Sequence, residues 1–244
     1  MYAPREAAWI VEAATGVRTA ALLLEGGAVG DARVDAALAL ASRRSAGEPL
    51  QYVTGVAGFR GLELAVGPGV FIPRPETELV AQRALDALPP GGVAVDVGTG
   101  SGAIALSLAL ERPDAIVYGT DSSPDALAYA RRNRAAAGVR AHLIECHLLD
   151  GLPPRLEGAV DVVVSNPPYV PRSQAASLPR DVVAHEPAAA LFGGEDGLEL
   201  VAAVADAARR WLRPSGRLVC EIGYDQGAGA ARLLRRAGYA DIEV

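Results

Sequence analysis

The sequence predicts an α/β fold built on a doubly wound parallel sheet, and three observations carry that expectation. Short apolar runs, such as Val93-Ala94-Val95-Asp96-Val97 and Val160-Asp161-Val162-Val163-Val164-Ser165, have the length and β-branched content of strands buried on both faces. From residue 76 onward such runs alternate with segments of helical periodicity, as a parallel sheet with crossover helices requires. Between the first of these strands and the helical run Ala103-Ile104-Ala105-Leu106 stands Gly98-Thr99-Gly100-Ser101-Gly102. Strand, glycine turn and helix in that order open a nucleotide-binding βαβ unit.

Taken in order, residues 1–50 read as helical. One helix is expected over 4–14, stopped at Gly16, and another over 32–46, with Asp31 as N-cap and Gly47 as stop. Residues 51–72 alternate glycine with apolar residues and suggest a β-hairpin bridge. In the remainder, helices are expected at 76–88, 102–111, 124–137, 197–212 and 226–237. Strands are expected at 93–97, 115–120, 141–145, 160–165, 217–222 and 240–244.

Two stretches carry chemistry. The glycine turn lets backbone pass close to a ligand, and the helix N-terminus behind it favours a carboxylate as well as a phosphate. Its G-x-G-x-G spacing lacks the third glycine position of the dinucleotide fingerprint and the lysine of a P-loop. Asp121 ends the next strand about where an acid reaches a ribose hydroxyl pair. Asn166-Pro167-Pro168-Tyr169 follows the strand at 160–165. Neither proline has an N–H for a ladder, so the strand stops and Asn166 is held at its carboxyl end, where open α/β sheets bind ligands. The Asn166 side-chain carbonyl and the Pro167 backbone carbonyl make two fixed acceptors, which match the two N–H bonds of a planar –NH2 group. Tyr169 supplies a flat face. Alone, the proline stretch also suits an ordinary strand exit and the glycine turn a tight βα loop; their register on successive strands points to a site.

These pieces resemble class I S-adenosylmethionine-dependent methyltransferases that act on a planar amino or amide nitrogen. Phe71-Ile72-Pro73-Arg74-Pro75-Glu76-Thr77-Glu78 resembles the PRPETE signature of the release factor glutamine methyltransferase family. Glu48-Pro49-Leu50-Gln51-Tyr52-Val53-Thr54-Gly55 is similar to its P-x-Q-Y-I-x-G segment, the run from Glu186 to Leu198 to its EP…AL…GG-x-DGL segment, and Glu221-Ile222-Gly223-Tyr224-Asp225-Gln226 to its late E-x-G-x-x-Q. The resemblance covers roughly residues 48–240. It implies a Rossmann-like class I methyltransferase domain over 73–244, a small helical substrate-recognition domain over 1–50 and the hairpin bridge over 51–72. It also implies an enzyme that moves a methyl group from S-adenosylmethionine to the N5 side-chain nitrogen of a glutamine in the GGQ motif of peptide-chain release factors. On the matching positions, Gly98, Thr99, Gly100, Ser101, Gly102, Asp121, Leu148 and Asn166 would hold the cofactor. Asn166, Pro167, Pro168, Tyr169 and Phe71 would meet the acceptor glutamine, with Asn166, Pro167 and Tyr169 catalytic.

Three departures from the family stand out. The amino-terminal helical part begins near the family's second helix. The chain stops where a sixth strand forms, so the strand at 240–244 lacks its usual seventh partner and the edge of 217–222 is expected to be open. In Glu145-Cys146-His147-Leu148-Leu149, His147 stands where the family carries an acid, which leaves a backbone contact from Leu148.

The implied chemistry is positional. An amide nitrogen is a poor nucleophile because its lone pair is delocalised into the carbonyl. Accepting both its N–H bonds, at Asn166 and at the Pro167 carbonyl, holds the nitrogen in place and favours the state in which positive charge grows on it. No strong base is needed before attack. Phe71 serves equally as a core residue or as a platform for the amide plane. Arg74, Glu76 and Glu78 suit helix capping or shaping of the site, and Glu186 suits capping of a loop or pairing with an arginine.

Composition narrows the alternatives. All 23 basic residues are arginines, and the net charge is −6. A protein that grips a phosphate backbone is usually basic, because counterion release supplies its affinity. The acidic balance therefore disfavours an adenine or guanine amino-methyltransferase of nucleic acid, which would need a basic groove or a recognition domain. A non-catalytic S-adenosylmethionine-binding module is the other alternative, and the intact Asn-Pro-Pro-Tyr argues against it. No apolar run reaches membrane-spanning length and no signal segment opens the chain, so a cytoplasmic monomer without membrane or direct nucleic-acid contacts is expected. Cys146 and Cys220 are expected to be buried free thiols. The three histidines lack metal-ligand spacing, so no metal site is expected.

Overall fold

The computed structural model describes residues 4–25 and 29–244. The chain opens with four helices, α1 (Pro4–Thr15), α2 (Thr19–Glu25), α3 (Asp31–Ser45) and α4 (Leu50–Thr54). A hairpin follows, β1 (Val56–Phe59) and β2 (Leu62–Ala65). The main body then runs α5 (Thr77–Ala87), β3 (Val93–Val97), α6 (Ala103–Glu111), β4 (Ile116–Asp121), α7 (Pro124–Ala137), β5 (Ala141–Glu145) and β6 (Val160–Ser165), and closes with α8 (Arg180–His185), α9 (Glu199–Trp211), β7 (Leu212–Cys220) and α10 (Gly227–Arg236).

Strands β3 to β7 form one parallel sheet in the order β5-β4-β3-β6-β7. The chain winds outward from β3 to β5, then crosses back to β6 on the other side of β3. That reversal opens a crevice beyond the carboxyl ends of β3 and β6, the position at which doubly wound sheets take ligands. Gly98 leaves β3 there and Asn166 leaves β6.

The period of two along each strand builds two cores. Val162 and Val164 join Ala94, Val117 and the inner faces of α5 and α6. Val95, Val97, Tyr118 and Val163 point the other way, onto Val204, Ala208 and Trp211 of α9. Val160 falls with the second group because the β6–β7 register shifts between Val160 and Val162. Every residue of β6 is buried, and each of its fully buried valines contributes on the order of 1.5–3 kcal/mol. Its two polar members are partnered. Asp161 accepts from the Val93 N–H at 2.7 Å and pairs with Arg213 at 2.6 Å, and the Ser165 hydroxyl donates to the Val97 carbonyl at 2.7 Å.

The hairpin is clamped to this body. Phe59, Leu62 and Leu64 enter the α5–α6 core. Asn133 of α7 accepts from the Ala65 N–H at 2.7 Å and donates to the Ala65 and Ser101 carbonyls at 3.0 and 2.9 Å, so one buried amide joins the hairpin to the glycine turn. At the hairpin tip, Arg60 (φ 49°) pairs with Glu111 at 2.5 Å while its N–H donates to Glu78 at 2.8 Å. Helices α1 to α3 bury little; Ile10 and Thr15 of α1 are their buried residues among those described, and Glu6 pairs with Arg44 at 3.2 Å, whereas α4 buries Tyr52 and Val53.

Several expectations are corrected. Asp31 is the first residue of α3, not its N-cap, which is Gly30 without a side-chain bond. A helix not foreseen, α2, is fastened to α1 through Thr19, whose N–H donates to Glu12 at 2.9 Å and whose hydroxyl donates to the Ala8 carbonyl at 3.1 Å. The bridge begins with α4, so the hairpin proper is shorter than 51–72. Strand β7 starts at Leu212 and ends at Cys220, because Leu212 pairs with Val160 before the chain loops out and rejoins the register at Arg217. Residues 240–244 form no strand. Gly238 and Asp241 both take positive φ, which turns the chain away from extended backbone and brings Val244 against Gly227 at the start of α10. Strand β7 is accordingly an edge. Cys146 and Cys220 are free thiols but half-buried.

Candidate active site

A cavity of about 270 Å³ lies at the reversal point of the sheet. One wall is the glycine turn. Gly98, Gly100 and Gly102 take φ of 73°, 58° and 88°, where a side chain would be strained, and this tight path aims Gly98 to Ser101 into the cavity. The turn is tied down at three points. The Gly98 and Thr99 N–H groups share the Thr120 carbonyl at 2.8 and 2.9 Å, the Thr99 hydroxyl donates to Asp96 at 2.7 Å, and the Gly100 N–H donates to Asp121 at 2.8 Å.

Asp121 lines the cavity, yet both its oxygens already serve the backbone, Oδ2 on Gly100 and Oδ1 on Ser123 at 2.8 Å. Asp96 is buried within β3. It accepts from Thr99 and, at 3.1 Å, from the Ala105 N–H at the start of α6. Burial pushes its carboxyl up to about 7, against the pull of those two hydrogen bonds.

The cavity is lined also by Asn166, Pro167, Pro168, Phe71, Pro73 and Thr77, and by His147 and Leu148. Leu148 has φ 47°, an unusual conformation for a branched side chain. The Phe71 ring lies under the Arg74 guanidinium at 4.6 Å. Arg74 pairs with Glu186, whose other oxygen accepts from the Ile72 N–H at 3.2 Å, so the acid settles both the segment before α5 and the loop before α9.

Around Asn166 the contacts have a direction. Its Nδ2 donates to the Thr77 hydroxyl at 3.0 Å, Thr77 donates to Glu221 at 2.7 Å, and the Tyr169 hydroxyl donates to the other Glu221 oxygen at 3.1 Å. Burial raises Glu221 while these partners hold it down, and burial with the nearby acid raises the Tyr169 phenol to about 12. Gln226 donates to the carbonyls of Tyr169 at 2.9 Å and Asp196 at 3.2 Å. Behind them Gly193 and Gly197 pack on the same strand exit. A Cβ there would stand 2.2 Å from the Pro168 oxygen and 2.1 Å from the Tyr169 oxygen, so only glycine allows the approach.

Among the sequence-derived candidates, Gly98, Thr99, Gly100, Ser101, Asp121, Leu148, Asn166, Pro167, Pro168 and Phe71 share the cavity. Gly102 and Tyr169 do not line it: Gly102 packs against Leu106 as the N-cap of α6, and the Tyr169 hydroxyl is drawn to Glu221. Sequence reasoning passed over Asp96 and Thr77 as site residues. A carboxylate inside an apolar strand was the available signal for Asp96.

Comparison with known proteins gives this geometry its family. The methyltransferase small domain matches residues 68–202 and the PrmC N-terminal domain matches residues 2–55. A release factor glutamine methyltransferase of Geobacter sulfurreducens is 37% identical over 237 residues, which are 97% of this chain and 82% of that protein. The chain belongs to the release factor glutamine methyltransferase family. A second relative of that name, from Mycolicibacterium smegmatis, is 46% identical over 192 residues, 78% of this chain and 66% of its own length. The fold is shared with a methyltransferase from Pyrococcus furiosus, at a TM-score of 0.57 and 21% identity over 75% of this chain and 82% of that one.

As a member of the family the chain is an enzyme that uses S-adenosylmethionine. The cavity fits that cofactor. Asp96 Oδ1 and Thr120 Oγ1 are buried without a partner among the described residues, and both residues line the cavity. A Cβ at Gly98 or Gly100 would meet nothing within 4 Å, so the backbone there faces open space. The acid at the end of β4, Asp121, suits a cationic ligand. Among the described residues, no helix is long and apolar enough to cross a membrane.

Proposed function

We propose that this chain methylates the side-chain amide nitrogen of the glutamine in the GGQ motif of peptide-chain release factors. One observation carries the reading: Asn166, Pro167 and Pro168 line the same cavity as the glycine turn and Asp121, and the Asn166 NH2 is engaged by the Thr77 hydroxyl. An acceptor pair beside a cofactor wall suits a planar –NH2 group.

Gly98 to Ser101, Asp121 and Leu148 would hold S-adenosylmethionine, which supplies an activated methyl group on its sulfonium. Asn166 Oδ1 and the Pro167 carbonyl accept the two N–H bonds of the glutamine amide. They fix its nitrogen and strengthen their hold as that nitrogen becomes cationic. Phe71 borders the same wall, while Tyr169, anchored through its hydroxyl to Glu221, stands behind the Asn166–Pro168 turn rather than in the cavity. In this reading residues 1–50 recognise the protein substrate, 51–72 bridge and 73–244 carry the chemistry. The enzyme works as a cytoplasmic monomer without nucleic acid or membrane contacts.

The test is to incubate the chain with labelled cofactor, a purified release factor and bulk RNA. Label should enter the release factor and vanish when its GGQ glutamine is replaced. Label in RNA, or in neither, overturns the proposal.

A further inference from the structure

We infer that Thr77 and Glu221 are positioning residues that decide which end of the Asn166 amide faces the acceptor. The inference rests on the proposed role of Asn166 and concerns how that role is enforced. An amide side chain has a donor end and an acceptor end of nearly equal shape, so packing alone does not choose between them. A site that must accept two N–H bonds fails if the NH2 end turns inward. The choice therefore has to come from hydrogen-bond polarity.

The polarity originates at Glu221. A carboxylate accepts and cannot donate. Its two oxygens take the Tyr169 hydroxyl at 3.1 Å and the Thr77 hydroxyl at 2.7 Å, and the Asn166 amide also interacts with it directly, which favours the same NH2-outward orientation. Thr77 has one proton, and that proton is committed to Glu221. Toward Asn166, Thr77 can present only a lone pair, so Asn166 must present Nδ2, which it does at 3.0 Å. The remaining end, Oδ1, is left for the cavity. Thr77 is 3% exposed, so water does not compete for its lone pair. The same carboxylate fixes the Tyr169 ring and the Asn166 oxygen from one point, while Gln226, five positions on, grips the Tyr169 carbonyl. The E-x-G-x-x-Q segment thus acts as a brace behind Asn166 and Tyr169 rather than as a wall of the cavity.

The relay is tested with Thr77→Val, which keeps shape and removes the hydroxyl, Thr77→Ser, which restores it, and Glu221→Gln, which introduces a donor into the relay. Methyl transfer to the release factor is measured beside cofactor affinity and KM. In Thr77→Val and Glu221→Gln, kcat should fall by tenfold to about 100-fold, the scale of a misplaced catalytic group, with cofactor Kd and KM within about threefold. Thr77→Ser should recover most of the loss. The pairing Thr77→Val with Asn166→Ala should be no worse than Asn166→Ala alone, because the relay acts only through that amide. Additive losses in the pair, or a loss in KM instead of kcat, would overturn the relay. If Thr77→Val does not fold, Thr77→Ser and Glu221→Gln decide by the same split. Should Asn166→Ala cost nothing, the acceptor role itself fails; should Asn166→Ala be costly while Thr77→Val and Glu221→Gln are not, the relay alone fails.

Discussion

Replacing Asp96 with Asn should flatten the pH dependence of folding stability between about pH 4 and about pH 7. Asp96 is 1% exposed, and its carboxyl is raised from 3.8 to about 7. Burial is the main cause and the charge of Asp121 adds to it, while the bonds from Thr99 and Ala105 oppose it. Between those values the folded chain holds a proton that the unfolded chain has released. The stability from this group is therefore fully present below about pH 4 and lost as pH climbs through about 7. A tenfold difference in proton affinity is about 1.36 kcal/mol, so the window is worth on the order of a few kcal/mol. In Asp96→Asn the amide oxygen still accepts from Thr99 and Ala105, but nothing titrates. Urea unfolding of both proteins, at pH steps across the window, isolates the group as the difference between the two curves. The wild type should lose stability relative to the variant as pH rises. Parallel curves would refute the reasoning, since they would mean that Asp96 is ionised in the folded protein throughout.

Asn166→Ala should lower kcat by roughly 100- to 1000-fold, on the order of 3 kcal/mol, with cofactor affinity changed only a few-fold; turnover within about threefold of wild type ends the acceptor assignment. Asp121→Ala should weaken S-adenosylmethionine by roughly 1.5–3 kcal/mol, because a charged acceptor is lost and the Gly100 and Ser123 N–H groups lose their tether. Calorimetry giving an unchanged Kd would remove Asp121 from the cofactor site. Arg74→Ala should destabilise the fold by about 3–5 kcal/mol, since Glu186 is left as a buried charge without its cation. Removing both partners should recover part of that loss in a melting experiment, and a single variant as stable as the wild type would show that the pair is not what holds Glu186.

What was legible in the sequence is what local chemistry dictates. Helix α7 begins and ends where expected because its signals are explicit: Ser123 caps the Ala126 N–H, Pro124 takes the first position, and Gly138 turns left-handed at the end. Strand β6 was legible because a valine-rich run is stopped by two prolines. The cavity-facing role of the glycine turn follows from its place between strand and helix. The rest depends on partners far along the chain. That Tyr169 turns to Glu221 is decided by an acid 52 positions away, and that Asp121 secures Gly100 depends on how β3 and β4 pair. Residues 240–244 carry strand-like side chains, but two positive-φ residues and the contact with Gly227 prevail over propensity.

The distances along the chain between partners divide the site into two halves with different folding histories. The cofactor wall is knit by bonds across 3, 9 and 21 positions, from Thr99 and Ala105 to Asp96 and from Gly100 to Asp121. The acceptor wall is knit across 89, 114 and 144 positions, by Asn166 with Thr77, Ile72 with Glu186, and Thr77 with Glu221. Closing long loops costs entropy before the contact repays it, so the short-range half is expected to consolidate first. A chain partway through folding, or one that has opened locally, would then hold its methyl donor while lacking the place to receive a substrate. Pulsed hydrogen exchange during refolding should accordingly protect the Gly100 N–H before the Ile72 N–H, and simultaneous protection would show that the two halves form as one unit.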